Sequence, residues 1–362
     1  MSGYPVPDVT STQAASPPPA AGPEPAGAAE QNRLRSVVKL LLVALALYLV
    51  WRLASRVGWR EVGARMAAVG PVPLLLSTLF LFGRHVAVNL RWSLALRRLG
   101  PQPHHLVRIL MLFSAALVNH ITPAARVLGG ILRARYLGRY QSHPFSELYG
   151  VVLADQVSHH LVHLVLTWLA LVAMAWQVGQ RETALIAGLA LPAVALVATY
   201  AFHTRHSERW RPVTDLARRI ARRQESRLSR LLAGGRGAFR RFREIFEDRD
   251  LQVRMSIFGV AFFVLNVLAQ WVIFAGLESK VSLLTVAITV ALGAAAGQLT
   301  GTPGGAATTE AAMIACFAAL GVDRVDAVAA TLLYRGLHYG LIMVLGVPAL
   351  LYFEFLDSTA KP

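Results

Sequence analysis

Apolar runs of about twenty residues recur along this chain, and as helices each would span the roughly 30 Å of a bilayer's hydrocarbon core. That limits the possible folds more than any other feature. Apolar residues make up 55% of the sequence, so the runs are not islands in a soluble domain. The expected fold is an all-α integral membrane protein. It is a polytopic helical bundle with about six full spans and two broken or re-entrant helical hairpins. The full spans fall at 37–51, 73–92, 148–176, 184–202, 255–277 and 327–353. An amphipathic stretch at 59–69 reads as an interfacial helix.

Two stretches interrupt the apolar pattern, one in each half. Residues 302–310 read Thr-Pro-Gly-Gly-Ala-Ala-Thr-Thr-Glu between apolar arms at 281–296 and 311–320. Pro303, Gly304 and Gly305 break the helix, because proline lacks the N–H and glycine loses more backbone entropy on ordering. Lipid cannot satisfy the freed backbone groups, so such a break must lie against protein or a wet cavity. In the first half, an arm at 106–121 runs into Thr122-Pro123, and Pro123, Gly129 and Gly130 mark the first break. Paired interruptions at corresponding positions point to a transport site. Counting crossings sends one hairpin in from the cytoplasm and the other from outside, as an inverted repeat would require. The plain alternatives are an ordinary crossing with an external loop for the first stretch and a surface loop for the second.

Charges inside the apolar spans are the candidate functional groups, since a charge at that depth is costly unless paired. Glu310 follows the second break. Asp155, His159 and His163 recur every fourth residue and share a helix face. Aspartate and histidine are good metal ligands, but no HExxH pattern or second ligand cluster accompanies them. The expectation is therefore a polar face lining a cavity or touching headgroups, with no metal and no cofactor. Arg84, His85 and Asn89 interrupt the second span, and Arg91, Arg97 and Arg98 mark its cytoplasmic end. Arg335 lies in the last span beside Tyr334, His338 and Tyr339.

The formal net charge is +16, nearly all from arginine. The basic residues flank apolar spans, so anionic headgroups and the positive-inside rule account for them better than nucleic acid does. The organisation expected is a Pro/Ala/Gly-rich tail over 1–32 and a first membrane half over 33–202. A basic cytoplasmic amphipathic loop follows over 203–254, then a second membrane half over 255–355 and a short tail over 356–362. Both termini are placed in the cytoplasm. The single cysteine, Cys316, lies in an apolar helix and reads as packing.

Four segments together resemble a known family. They are Pro123 with Gly129-Gly130-Ile131-Leu132-Arg133-Ala134-Arg135-Tyr136, then Ala154-Asp155-Gln156, then Thr302 to Glu310, then Leu333-Tyr334-Arg335. In order and spacing they are similar to the membrane domain of bacterial lysylphosphatidylglycerol synthase/flippases, over about residues 37–353. Gln156 stands where that family usually has arginine, and the stretch from Pro123 to Gly129 is longer than usual. The resemblance implies a lipid-handling protein of the bacterial plasma membrane that moves a polar lipid between leaflets. It does not imply aminoacyl transfer, which belongs to a soluble C-terminal domain that this chain is too short to carry, so no enzyme activity is expected.

The leading expectation is flippase-like transport of a polar or charged phospholipid or glycolipid. Asp155 and Glu310 would meet cationic parts of a headgroup, and Arg133 and Arg335 would clamp a phosphate. The partners are then membrane lipids: an anionic or aminoacylated phospholipid, or a lipid-linked sugar. The plain alternative is that these four charges only pair with one another. A second class is a non-catalytic scaffold that uses 203–254 to engage a cytoplasmic protein or anionic lipid. A third is an intramembrane enzyme acting on lipid-linked sugars through Asp155 and the histidines.

Overall fold

The computed structural model describes residues 58–122, 127–190, 193, 228–300 and 302–356. Among them the regular elements are all helical: α1 (Trp59–Ala68), α2 (Pro71–Leu96), α3 (His105–Ile121), α4 (Val127–Leu137) and α5 (Phe145–Gln177). Then come α6 (181–190), α7 (Leu228–Phe246), α8 (Arg249–Gly276), α9 (Leu283–Thr300), α10 (Thr308–Ala319) and α11 (Arg324–Leu351). Five segments are long and apolar enough to cross a membrane: Pro71–Leu99, Phe145–Gln177, Arg249–Gly276, Leu283–Thr300 and Arg324–Phe355. Their outer faces carry exposed Leu75, Leu79, Leu164, Leu169, Ile257 and Val344, as a lipid-facing surface should. The protein is a multi-pass membrane protein. The expected span at 37–51, most of the one at 184–202, and Pro123 lie outside the described residues.

Local signals set the helix starts. Pro71 occupies the first position of α2, where its missing N–H costs nothing. Asp248 caps α8 by accepting from the Leu251 N–H at 3.1 Å. That cap starts the span at Arg249, six residues before the sequence expectation, so the end of the basic loop is already membrane helix. Asp323 caps α11 by accepting from the Val325 and Asp326 N–H groups.

Each half repeats one unit: a long helix, a broken hairpin and a second long helix. In the first half these are α2, α3–α4 and α5; in the second, α8, α9–α10 and α11. The contacts are reciprocal. The leading helices α2 and α8 pack against each other along their length, α3 packs on α11, and α9 packs on α5. The leading helices run antiparallel. Arg98, just past α2, pairs with Asp248 before α8. Arg84 meets Asn266 midway, and Gly276 closes against Pro73. Each hairpin follows its leading helix through a short link, so the two hairpins enter from opposite ends of the bundle. This is the inverted arrangement that the paired breaks suggested.

Their tips meet in the middle. A Cβ on Gly304, in the second break, would lie 2.7 Å from the His120 ring at the end of α3. Buried apolar residues form one cluster toward each end of the bundle. One surrounds Phe274 and Phe317, the other Trp92 and Tyr136. Arg84, Arg91, Arg133, Asp155, Glu310 and Arg335 are buried alongside them.

The interfacial helix forms as expected at Trp59–Ala68. It lies at the end opposite the basic links, and Arg65 there pairs with Asp326 at 3.1 Å. Helix α7 docks on α5 where Gly150 lets the backbone at Ala238 approach. Arg240 and Arg241 each donate to Glu147, at 2.7 and 2.6 Å. That carboxylate raises the Arg241 pKa above its ordinary value.

Candidate functional site: a polar chamber between the hairpins

The second break is a single tight turn, Pro303–Gly305. Gly304 and Gly305 both take left-handed backbone, at φ 58° and 69°, where a side chain would be strained. Ala307 also has a positive φ of 66°, immediately before α10. Hydroxyls stitch the turn: Thr308 bonds Thr300 at 2.9 Å and donates to the Gly305 carbonyl at 3.2 Å. Arg335 reaches across from α11, donating through Nε to Glu310 Oε1 at 2.5 Å and through Nη2 to the Gly304 carbonyl at 3.0 Å. It also donates to the Tyr339 hydroxyl. One guanidinium thereby holds both the break and the carboxylate that follows it.

The first hairpin differs in detail from the sequence expectation. Gly129 and Gly130 are not in the break but inside α4. They serve close approach. A Cβ on Gly129 would lie 2.5 Å from the Asn119 side chain and 2.6 Å from the Ala115 carbonyl. The Gly129 N–H donates to Asn119 Oδ1 at 3.0 Å, tying the two arms together. The second hairpin closes in the same way at Gly297, where a Cβ would lie 2.1 Å from Thr309 Oγ1.

Asp155 sits at the centre of the first half, with none of its surface exposed. Its Oδ1 accepts from Arg91 Nε at 2.7 Å, and its Oδ2 from Arg133 Nη2 at 2.9 Å. The Arg133 guanidinium also lies over the Trp92 ring, 4.2 Å from its centroid. Arg91 Nη1 is 2.8 Å from His159 Nδ1. Arginine can only donate, so Nδ1 accepts and the ring carries its proton on Nε2. The expectation that Arg91 marks a cytoplasmic end is therefore corrected: it is buried and bonded to Asp155. Arg84, too, is held inside rather than reaching an interface. Its Nη1 donates to Asn266 Oδ1 at 2.5 Å, and the same oxygen accepts from the Tyr334 hydroxyl at 2.7 Å.

These groups line a partly open chamber of about 440 Å³ at the meeting of the two hairpins. Arg84, Arg91, Arg133, Asp155 and Arg335 line it, and Glu310 stands behind Arg335 without lining it. The four charges singled out in the sequence thus come together as two pairs, Arg133–Asp155 and Glu310–Arg335, rather than as four independent contacts. His85, His120 and His338 add imidazoles near the tips, with His120 and His338 rings in edge contact at 5.1 Å. The histidine face on α5 lines the chamber as expected. Asp155, on the same helix, gives both oxygens to arginines.

The sequence missed Arg91, although Arg84, Val88 and Arg91 stand at i, i+4 and i+7 and all three line the chamber. That helical spacing was the available signal.

The fold and chamber define a class: an all-α, multi-pass membrane protein with two opposed broken hairpins around a charged interior. Within that class, the chain belongs to the family described as the lysylphosphatidylglycerol synthase TM region, whose profile matches residues 36–346. It is a lipid-related membrane protein. It is similar to a UPF0104 membrane protein of Methanothermobacter thermautotrophicus, 24% identical over 86% of this chain and 95% of the relative. The UPF0104 membrane protein MJ1595 of Methanocaldococcus jannaschii is 21% identical over 88% and 96% of the two chains. PH1989 of Pyrococcus horikoshii, another UPF0104 membrane protein, is 24% identical over 71% and 79%.

Proposed function

We propose that this protein moves the polar headgroup of a lipid between leaflets through the chamber, with the acyl chains left in the bilayer. The observation that carries this is the meeting of two oppositely entering hairpins at a buried chamber lined by arginines. Irregular backbone at such depth is tolerated against protein or a wet cavity, and opposed interrupted helices are the arrangement transport sites use. The charges need not exchange with water during a crossing if the lining replaces the headgroup's hydration.

The reading also gives the protein a place and an orientation. Arg98, Arg139, Arg240 and Arg249 gather at one end of the bundle, and the positive-inside rule favours the cytoplasm for that end. No chemical step is part of this function, and the basic segment 203–254 serves topology and leaflet docking in it.

The test is a leaflet-exchange assay on purified full-length protein in proteoliposomes, with fluorescent phospholipids quenched from outside. Wild type should render the inner-leaflet label accessible. Ala116→Trp adds bulk to the chamber lining at a residue outside both ion pairs, and should abolish exchange while leaving the thermal midpoint near that of wild type. Undiminished exchange in that variant would sink the chamber as the route. A wild type that moves no polar lipid would favour the scaffold alternative.

A further inference from the structure

We infer that the chamber selects a net-anionic, phosphate-bearing headgroup and disfavours a cationic, aminoacylated one; this rests on the transport reading of the same chamber. The argument is one of charge and of unused donors. Among the described residues that line the chamber, Arg84, Arg91, Arg133 and Arg335 face a single carboxylate, Asp155. Both oxygens of Asp155 already accept from arginines. The other nearby carboxylate, Glu310, is bonded to Arg335 and lies outside the lining. An ammonium entering here would meet four guanidiniums and one carboxylate that two of them already neutralise, so no unpaired anion offsets the cost of desolvating its charge.

An anion meets the opposite situation. Two guanidiniums share Asp155, so the first half holds more positive than negative charge without any occupant. Arg133 Nε is buried and has no hydrogen-bond partner among the described residues, and Arg133 itself is only 6% exposed. His85 Nε2 and His338 Nδ1, also in the lining, are likewise buried without a partner among the described residues. Guanidinium groups match a phosphate's oxygens in geometry and remain charged at any working pH. A chamber of about 440 Å³ accommodates a headgroup of this kind and not a pair of acyl chains.

The two halves sharpen the point. In the second half the pairing is one arginine to one carboxylate, and the arginine also holds the backbone of the break. In the first half the second arginine, Arg91, is surplus to pairing. Replacing Arg91 leaves the Arg133–Asp155 pair in place and makes the first half resemble the second in charge.

The experiment is a binding competition on the full-length protein in detergent, read by native mass spectrometry. The probes are short-chain phosphatidic acid, phosphatidylglycerol, phosphatidylcholine and lysylphosphatidylglycerol, with inorganic phosphate alone as a separate arm. Phosphatidic acid and phosphatidylglycerol should bind about tenfold or more tightly than the zwitterionic and cationic lipids. Arg91→Gln should remove about tenfold of the anionic preference while the thermal midpoint holds, and Arg91→Lys should keep most of it. If Arg91→Gln does not fold, Arg84→Gln, at the neutral Asn266 amide, carries the same expectation.

Lysylphosphatidylglycerol binding as well as phosphatidylglycerol would overturn the inference and leave lipid transport standing. Inorganic phosphate binding as tightly as the lipids would uphold the anion chemistry and remove the lipid from it. Binding of no lipid at all would fail both readings.

Discussion

The two hairpins are built on one plan and charged in opposite senses. In the first, an arginine on the returning arm, Arg133, meets a carboxylate on the following long helix, Asp155. In the second, the carboxylate is on the returning arm, Glu310, and the arginine on the following helix, Arg335. Both pairs are buried, and both lock a returning arm to the long helix behind it. The surroundings differ. Arg335 is used up by the break it holds, bonding Gly304 and Tyr339 as well as Glu310. Asp155 carries a second arginine, and Arg133 keeps an unused Nε. The comparison separates architecture from chemistry. Pairing of a returning arm with the helix that follows is common to both halves and holds the fold, whereas the cation excess belongs to the first half, where the proposed anionic headgroup would be met.

Breaking each pair by one neutral substitution tests that separation most strongly. Asp155→Asn leaves Arg91 and Arg133 facing each other without a counter-ion, and should cost about 3–5 kcal/mol. Glu310→Gln keeps an acceptor for one guanidinium and should cost less, about 2 kcal/mol. Thermal midpoints in detergent give the order. Added phosphatidylglycerol should restore part of the loss in Asp155→Asn by binding the folded state, and little of the loss in Glu310→Gln. Equal rescue of both would erase the distinction drawn between the halves.

The hairpin closures give a smaller contrast. A Cβ at Gly129 meets the backbone carbonyl of Ala115, which cannot turn aside, whereas at Gly297 it first meets the Thr309 hydroxyl. Gly129→Ala should destabilise by about 3 kcal/mol and Gly297→Ala by nearer 1 kcal/mol, with the same midpoints as readout. The reverse order would mean that the second hairpin is the more rigid one.

The smallest effect has the opposite sign. Ala307 sits at φ 66°, a conformation that a Cβ disfavours. Ala307→Gly should raise stability by about 1 kcal/mol, since relief of the backbone strain outweighs the extra freedom of the unfolded chain. A fall in the midpoint would show that the alanine methyl contributes packing that outweighs the strain.

Much of this plan was legible in the sequence, for identifiable reasons. Helical breaks are local, so Pro303, Gly304 and Gly305 announced the second turn directly. Charges inside apolar runs are conspicuous, so Asp155, Glu310 and Arg335 stand out before their partners are known, whereas Arg133 stands out through the motif that carries the family resemblance. Pairing is a different matter. Arg84 and Asn266 lie 182 residues apart, and Arg91 and Asp155 lie 64 apart, so no local pattern joins them. Arg91 groups with Arg97 and Arg98 as a membrane-end marker in the sequence because it stands so close to them; its burial depends on α5, which arrives later in the chain. Gly129 and Gly130 read as a break in the sequence because glycine signals both a turn and a close approach, and only the position of α3 tells the two apart.

The central claim is that the chamber is a route, and a route must open to both sides. The most direct measurement is thiol accessibility in sealed, oriented vesicles. Cys316 is the single cysteine, so Cys316→Ala gives a clean background for Ala116→Cys in the chamber lining. Labelling by a membrane-impermeant reagent added from either face, slowed in both cases by phosphatidylglycerol, is the predicted result. Labelling from one face alone, in protein that remains folded, would contradict the account and make the chamber a one-sided pocket.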